Sequence, residues 1–228
     1  MGKKSALVSF TVVLGLVSLI SAVSLGGIYV LTKEPIEASE KNREVESIKQ
    51  VLQEFDNNPA EDQQFVEIKP TSLTVYPAKL KGEFAGCAVK SYSDKGFGGR
   101  IEIMFGFDRQ GAVTGYSVLS HAETPGLGNK MVDWFKPQGA PVRSGVEKLF
   151  GFSVQQVQRN SNVYGINPGD GFVQVSKDGG QIDAITAATI SSRAFLDALN
   201  RAYEGYLKVS GGKDERGDAT SGASQLNH

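Results

Sequence analysis

The chain has 228 residues, of which 40% are hydrophobic and 21% charged, and its formal net charge is −1. This length suffices for one domain with its own core, and the mixed charges exclude the basic surface of a nucleic-acid-binding protein. Cys87 is the single cysteine, which excludes an internal disulfide and a cysteine-ligated cluster, and we predict that it is buried on a strand. The two histidines lie far apart in the sequence, so no metal site is predicted.

Residues 5–32 near the N-terminus contain no charged side chain. As a helix, this run extends about 40 Å, which exceeds the roughly 30 Å hydrocarbon core of a bilayer. The alternative is a cleaved signal peptide, but the apolar part of a signal peptide has about 7–15 residues, and this run is nearly twice as long. We therefore predict a retained transmembrane anchor over residues 1–33, with residues 5–32 in membrane lipid.

The charged residues on the two sides of this anchor give conflicting signals for its orientation. Lys3 and Lys4 precede the span, but four basic residues follow it up to Lys49, so counting positive charges does not decide the topology. A short head with two lysines favours an N-terminus on the inside. We expect a single-pass protein of the inner membrane whose remaining chain lies on the extracytoplasmic side.

Residues 34–64 are predicted to form a stalk helix and linker. The apolar residues repeat at helical spacing and form one stripe that is expected to dock on the following domain, namely Ile48, Val51, Leu52 and Phe55. The sequence Asn57-Asn58-Pro59 is predicted to end the helix.

Residues 65–209 show the pattern of a small domain. Short turns separate four strand-like stretches, which predicts an antiparallel meander: Ser72–Leu80, Glu83–Ser93, Arg100–Asp108 and Ala112–Ser120. Gly171–Lys177 is predicted as a further strand, Asn129–Phe135 as a short helix and Ile190–Leu207 as a long amphipathic helix. The fold class is therefore α+β, an antiparallel-rich sheet with packed helices, preceded by one N-terminal transmembrane helix. Residues 210–228 lack a core pattern and are predicted to be a disordered tail.

The segment 183–192, DAITAATISS, leads into the long helix. It combines hydroxyl groups and small residues at a helix N-terminus, where free backbone N–H groups and the helix dipole favour a phosphate. The same residues are also consistent with an ordinary Ser/Thr cap.

This segment resembles the flavinylation signature D-x-x-[ST]-[GA]-A-T-x-[ST] of the FMN-binding domain family. The residues that match are Asp183, Thr186, Ala188, Thr189 and Ser191. Ala187 stands where glycine is commoner, a departure that matters if the backbone needs a positive φ there.

A second segment, 121–128, reads HAETPGLG and is similar to the H-x-E-T-P-G-L-G loop of the same family. The glycine-containing turn at 95–101, KGFGGRI, also resembles that family. The end of the membrane span, YVLTKEPI at 29–36, looks like the G subunit of the Rnf complex in particular.

The resemblance implies FMN bound covalently through its phosphate to Thr189. It implies a flavin transferase, using FAD and Mg²⁺, that recognises Asp183, Thr189 and Ser191. The remaining candidates for contact with the cofactor lie in the two motifs: Thr186, Ala187, Ala188, Ile190 and Ser191, with His121, Glu123, Thr124, Leu127 and Gly128. His121 is alternatively a structural hydrogen-bonding residue, and Trp134 either stacks on the flavin or packs in the core.

The implied function is that of an electron-carrying redox subunit, not a complete enzyme, of an ion-translocating ferredoxin:NAD⁺ oxidoreductase. Its partners would be the other membrane subunits of that complex. The alternatives are the C subunit of the sodium-translocating NADH:quinone reductase and a non-redox, membrane-tethered binding domain.

Overall fold

A computed structural model of the chain describes residues 2–68, 71–137 and 160–212. The elements in chain order are α1 (Gly2–Val51), β1 (Gln64–Ile68), β2 (Thr71–Leu80), β3 (Glu83–Gly96), β4 (Gly99–Asp108), β5 (Val113–Ser120), α2 (Met131–Trp134) and α3 (Thr189–Ser210). The predicted α+β class is confirmed.

Helix α1 contains the apolar N-terminal run. Within it, Ser9–Val51 has a stretch that is long and apolar enough to cross a membrane, and that stretch buries none of its surface against the chain. The chain divides into two compact units at Glu44 and Val45. The last two turns of α1 therefore belong to the second unit, which also contains the sheet.

The sheet is a five-stranded antiparallel meander in the order β1-β2-β3-β4-β5. Each predicted strand of the meander is present with its ends shifted by a few residues at most. Strand β3 continues beyond its predicted end at Ser93 to Gly96 by means of a bulge, and the turn falls at Phe97 and Gly98.

Alternating side chains give the sheet two buried faces. One face, which includes Val75, Val89 and Phe105, packs against the buried stripe of α3. On the other face, Met104 and Tyr76 pack against Ile48 and Val51 at the end of α1, as the predicted docking stripe requires. Cys87 is fully buried on β3, and this burial raises the pKa of its thiol.

The end of α1 can approach the sheet closely because two paired glycines lie beneath it. Gly106 faces Gly115 across β4 and β5, and a Cβ on Gly106 would overlap the carbonyl oxygen of Val51. The Ser47 and Ser117 hydroxyls lie 3.1 Å apart, and the Thr114 hydroxyl donates to the Val51 carbonyl at 2.5 Å.

The helix was predicted to end at Asn57-Asn58-Pro59, but it ends at Val51. Strand β1 pairs with β2 only as far as Val75. The residues after Val51 form hydrogen bonds with the part of β2 that follows Val75. The Asp56 N–H donates to the Lys79 carbonyl at 2.9 Å, and the Asn57 side chain accepts from the Lys79 N–H at 2.8 Å. Sheet-edge hydrogen bonds thus replace two further helical turns.

The strand predicted at Gly171–Lys177 is wrong. The segment holds one isolated bridge, between Val175 and Ile182, and a 3₁₀ turn at Ser176–Asp178. The Asn200 side chain accepts from the Val173 N–H and donates to its carbonyl, so a helix side chain satisfies the backbone groups that a neighbouring strand would satisfy. Strand β1, in contrast, was missed, and the part of the predicted tail from residue 213 onward lies outside the described residues.

Candidate functional site

A cavity of about 350 Å³ opens between the loop after β5 and the first turn of α3. This volume is within the range of small-molecule sites. Its lining comes from the β3–β4 turn, the loop after β5 and the start of α3: Phe97, Glu123, Thr124, Leu127, Gly128, Ala187, Ala188, Thr189, Ile190 and Ser191. The fold thus brings the two sequence motifs together around one space.

Glu123 joins the three segments that line the cavity. Its side chain is buried and accepts hydrogen bonds from the Gly98 backbone N–H at 3.1 Å and from the Ser191 hydroxyl at 2.5 Å. Gly128 packs against the same pair, since a Cβ there would overlap both Glu123 Oε2 and Ser191 Oγ. Glu123 therefore supports the walls of the cavity as well as facing it.

Helix α3 begins at Thr189, with Ala188 as its N-cap. Alanine has no side-chain acceptor, so the N-cap residue gives the first turn of this helix no side-chain cap. Ser192 instead closes the preceding loop, accepting from the Ile185 N–H at 2.9 Å and donating to the Ala188 carbonyl at 3.0 Å. The ordinary Ser/Thr cap is therefore not what the structure contains, and the Thr189 hydroxyl is not used as a cap.

The Thr189 hydroxyl accepts a hydrogen bond from the Lys177 ammonium at 3.4 Å. Lys177 was not among the predicted site residues. Its position depends on the 3₁₀ turn at Ser176–Asp178, which the sequence pattern presented as a strand, so no local signal identified it. The neighbouring Asp178 forms a two-bond pair with Arg193 of α3, and these hydrogen bonds lower the pKa of the Asp178 carboxyl.

Two predicted residues, Thr186 and His121, do not line the cavity. Thr186 is exposed on the loop before α3. The His121 side chain is half-buried, and its Nδ1 accepts from the Glu123 backbone N–H at 3.2 Å, which stabilises the loop after β5.

Asp183 and Trp134 hold the segment before α3. The Asp183 carboxylate accepts from the Asn160 N–H at 2.8 Å and the Ser176 hydroxyl at 3.0 Å, while its carbonyl accepts from the Trp134 indole at 3.0 Å. Trp134 packs against the core that includes α3 and does not line the cavity. Phe97, in contrast, is a lining residue that sequence reasoning did not select.

Ala187 adopts a left-handed backbone, with φ of 62°, one of two positive values among the non-glycine residues that the structure describes. The glycine preference at this position therefore has a conformational reason. We expect Ala187→Gly to raise the free energy of unfolding by about 0.5–1 kcal/mol and the Tm by about 2 °C, because it relieves left-handed strain. A thermal unfolding curve of the unlabelled protein measures this.

Ala122→Gly is the matched control, because Ala122 is exposed in the neighbouring loop and has no positive φ. There the extra freedom of glycine in the unfolded chain acts alone and lowers the Tm. Shifts of the same sign in both variants would contradict the strain at Ala187.

Comparisons with known proteins identify the family of the region that contains this cavity. The model of the FMN-binding domain family matches residues 96–204, which include all the cavity-lining residues. The G subunit of the ion-translocating oxidoreductase complex of Aliivibrio fischeri is 32% identical over 76% of this chain and 78% of its own length. The G subunit of the same complex from Vibrio cholerae is 30% identical over 77% and 78%.

A third relative, the G subunit of this complex from Haemophilus influenzae, is 30% identical over 85% of this chain and 86% of its own length. The resemblance inferred from the two motifs is thereby confirmed. The chain belongs to the family of G subunits of ion-translocating oxidoreductase complexes and contains an FMN-binding domain.

Proposed function

We propose that Thr189 carries FMN through a phosphoester bond. Three features of the described residues fit this group. Thr189 lines a mainly apolar cavity, the N-cap residue Ala188 gives the first turn of α3 no side-chain cap, and an ammonium group lies beside the Thr189 hydroxyl. The position of Thr189 as a lining residue that does not cap its own helix carries the proposal.

One group of residues suits the phosphate of such a cofactor, and another group suits its flavin ring. The N–H groups at the start of α3 favour the negative charge of a phosphate. Phe97, Leu127 and Ile190 expose apolar surface at the cavity, with 69%, 40% and 49% of their areas accessible, and this surface suits a flavin ring. When bound, FMN supplies one- or two-electron transfer, and the chain orients it and excludes water from one side.

We infer that this subunit relays electrons inside a membrane complex that passes them between ferredoxin and NAD⁺ and couples their flow to ion transport. The three relatives are all G subunits of ion-translocating oxidoreductases, which favours this assignment over the C subunit of the quinone reductase. The partners are then the other subunits and, during maturation, a flavin transferase.

We further propose that residues 1–33 anchor the protein in the inner membrane, with the N-terminus inside and residues 65–209 on the extracytoplasmic side. Residues 34–64 would then connect the anchor to the FMN-binding domain. A covalent bond is useful on that side of the membrane, because a dissociated flavin could not be replaced from a cytoplasmic pool.

Thr189→Ala is expected to abolish the covalent flavin, because it removes the only oxygen that can form the ester at this position. The measurement is flavin fluorescence of the full chain after denaturing electrophoresis, from cells that contain the transferase, followed by peptide mass mapping. Thr186→Ala is the matched control and keeps the label, since Thr186 does not line the cavity. A fluorescent Thr189→Ala band would contradict the attachment site.

A further inference from the structure

Lys177 is the cationic side chain that the structure places beside the proposed attachment point. Its ammonium nitrogen lies 3.4 Å from the Thr189 hydroxyl oxygen, although twelve residues separate the two along the chain. None of the described residues that line the cavity is a lysine or arginine, and the lining contains one carboxylate, Glu123. The positive charge that compensates a phosphate on Thr189 would therefore come from Lys177, which does not line the cavity.

The turn that carries Lys177 is held on both sides of that residue. On one side, Asp178 accepts two hydrogen bonds from Arg193, at 2.7 and 2.6 Å, and Arg193 lies one helical turn after Thr189. On the other side, the Ser176 hydroxyl donates to the Asp183 carboxylate at 3.0 Å, and the Ser176 N–H donates to the Ile182 carbonyl at 2.8 Å. These bonds fix the backbone of Lys177 relative to the start of α3.

Lys177 is an exposed lysine whose ammonium already contacts Thr189. A long exposed side chain normally loses conformational entropy when it forms an ion pair, which makes such pairs weak. Here the side chain already places its ammonium within reach of the oxygen that would become the ester oxygen, so less of that entropy remains to be lost. The non-bridging phosphate oxygens would lie two bonds from that ester oxygen, on the same phosphorus and within reach of the same ammonium.

We propose that Lys177 is the positioning residue for the phosphate during flavin attachment, a role that rests on the proposed function of Thr189. In that step the Thr189 hydroxyl oxygen forms a bond to the phosphorus of the FMN half of FAD. The bond between this phosphorus and the bridging oxygen of the pyrophosphate breaks, AMP leaves with that oxygen, and the hydroxyl proton passes to a base of the transferase. Lys177 donates hydrogen bonds to the phosphate and carries no proton through the reaction.

The same arrangement gives Asp183 a role within this chain. Its carboxylate holds Ser176 and so helps to place Lys177 beside Thr189. An acidic residue six positions before the modified threonine is thus linked to the phosphate site through the fold, independently of any contact with the transferase.

The test is the initial rate of covalent labelling of the full chain in detergent, with purified flavin transferase, FAD and Mg²⁺, followed by intact mass. Lys177→Gln is expected to label about tenfold more slowly, because it removes one charge-assisted contact to the phosphate. Lys177→Arg retains the charge and is expected to label at more than about half the wild-type rate. Added salt is expected to slow the wild type more than Lys177→Gln.

Lys208→Gln is the matched control, since Lys208 is exposed at the far end of α3 and is expected to label like the wild type. The Tm of each variant is measured alongside, and Lys177→Gln is expected to unfold at the wild-type temperature. A wild-type labelling rate in Lys177→Gln would overturn the role of Lys177, and so would an equal loss in Lys177→Arg. A wild-type chain that gains its flavin elsewhere than Thr189, or gains none, would instead overturn the proposed function and this inference with it.

Discussion

Phe195→Ala is expected to lower the free energy of unfolding by about 3–5 kcal/mol, because it opens a cavity at the centre of the core. Phe195 is fully buried on the inner face of α3. Its ring stacks on Phe135 with centroids 4.2 Å apart and meets the edges of Tyr116 and Phe105 at 4.8 and 5.4 Å. These aromatic contacts add to the loss of buried area.

Urea unfolding of the unlabelled protein measures this effect. The chain has a single tryptophan, Trp134, which packs against the same core and so reports on its loss by fluorescence. Phe97→Ala is the matched control, because it removes an identical ring that is 69% exposed, and it is expected to change stability by less than about 0.5 kcal/mol. Equal midpoints for the two variants would show that Phe195 does not anchor α3.

Phe195 also connects the core to the candidate site. It lies in the second turn of α3, one turn after Ser191 and Ser192, which bond Glu123 and the loop before the helix. Weaker packing of this turn is therefore expected to slow flavin attachment as well. The stability of the core and the geometry of Thr189 are linked through the same helix.

The meander could be predicted because its signals are local. Each hairpin has its turn residues between two β-rich stretches, as at Lys81-Gly82 between β2 and β3. Two of the errors, the end of α1 and the strand predicted at 171–177, concern backbone groups whose partners are distant in sequence. The Asn200 side chain bonds Val173, and Asp56 bonds Lys79 at the edge of the sheet, and no periodicity encodes such pairs.

The residues of the candidate site also divide into those with a local sequence signal and those without one. Nine of its ten lining residues were predicted, because they are sequence neighbours within two motifs. Whether each of them contacts a flavin stays a prediction. Lys177 was missed because its place beside Thr189 arises from a 3₁₀ turn and an ion pair. Phe97 lies in the glycine turn that resembles the family, but nothing in that pattern marked its side chain as a lining residue.

Gly128→Ala is expected to cost about 3 kcal/mol or more, because the added methyl enters an occupied space. Its Cβ would overlap Glu123 Oε2 and Ser191 Oγ, which are themselves hydrogen-bonded at 2.5 Å. The loop after β5 must then move away from α3, and the cavity loses a wall. Both the urea midpoint and the rate of flavin attachment are expected to fall.

Gly126→Ala separates this steric effect from backbone strain. Gly126 lies in the same loop with φ of +77°, and a Cβ there meets nothing within 4 Å. The expected cost is about 0.5–1 kcal/mol, because the lower entropy of alanine in the unfolded chain offsets part of the left-handed strain. The cavity should remain intact in this variant, with flavin attachment near the wild-type rate. A loss of labelling as large as that of Gly128→Ala would mean that loop conformation, and not the contact with Glu123 and Ser191, determines the site.

The double variant Gly128→Ala with Ser191→Ala tests the contact itself. Removing the Ser191 hydroxyl eliminates one of the two atoms that the new methyl meets, so the double variant is expected to be about 1 kcal/mol more stable than the sum of the single effects predicts. Simple additivity would show that Gly128 and Ser191 do not share a contact. The comparison uses the urea midpoints and not the labelling rate, because Ser191 is itself a predicted recognition residue of the flavin transferase.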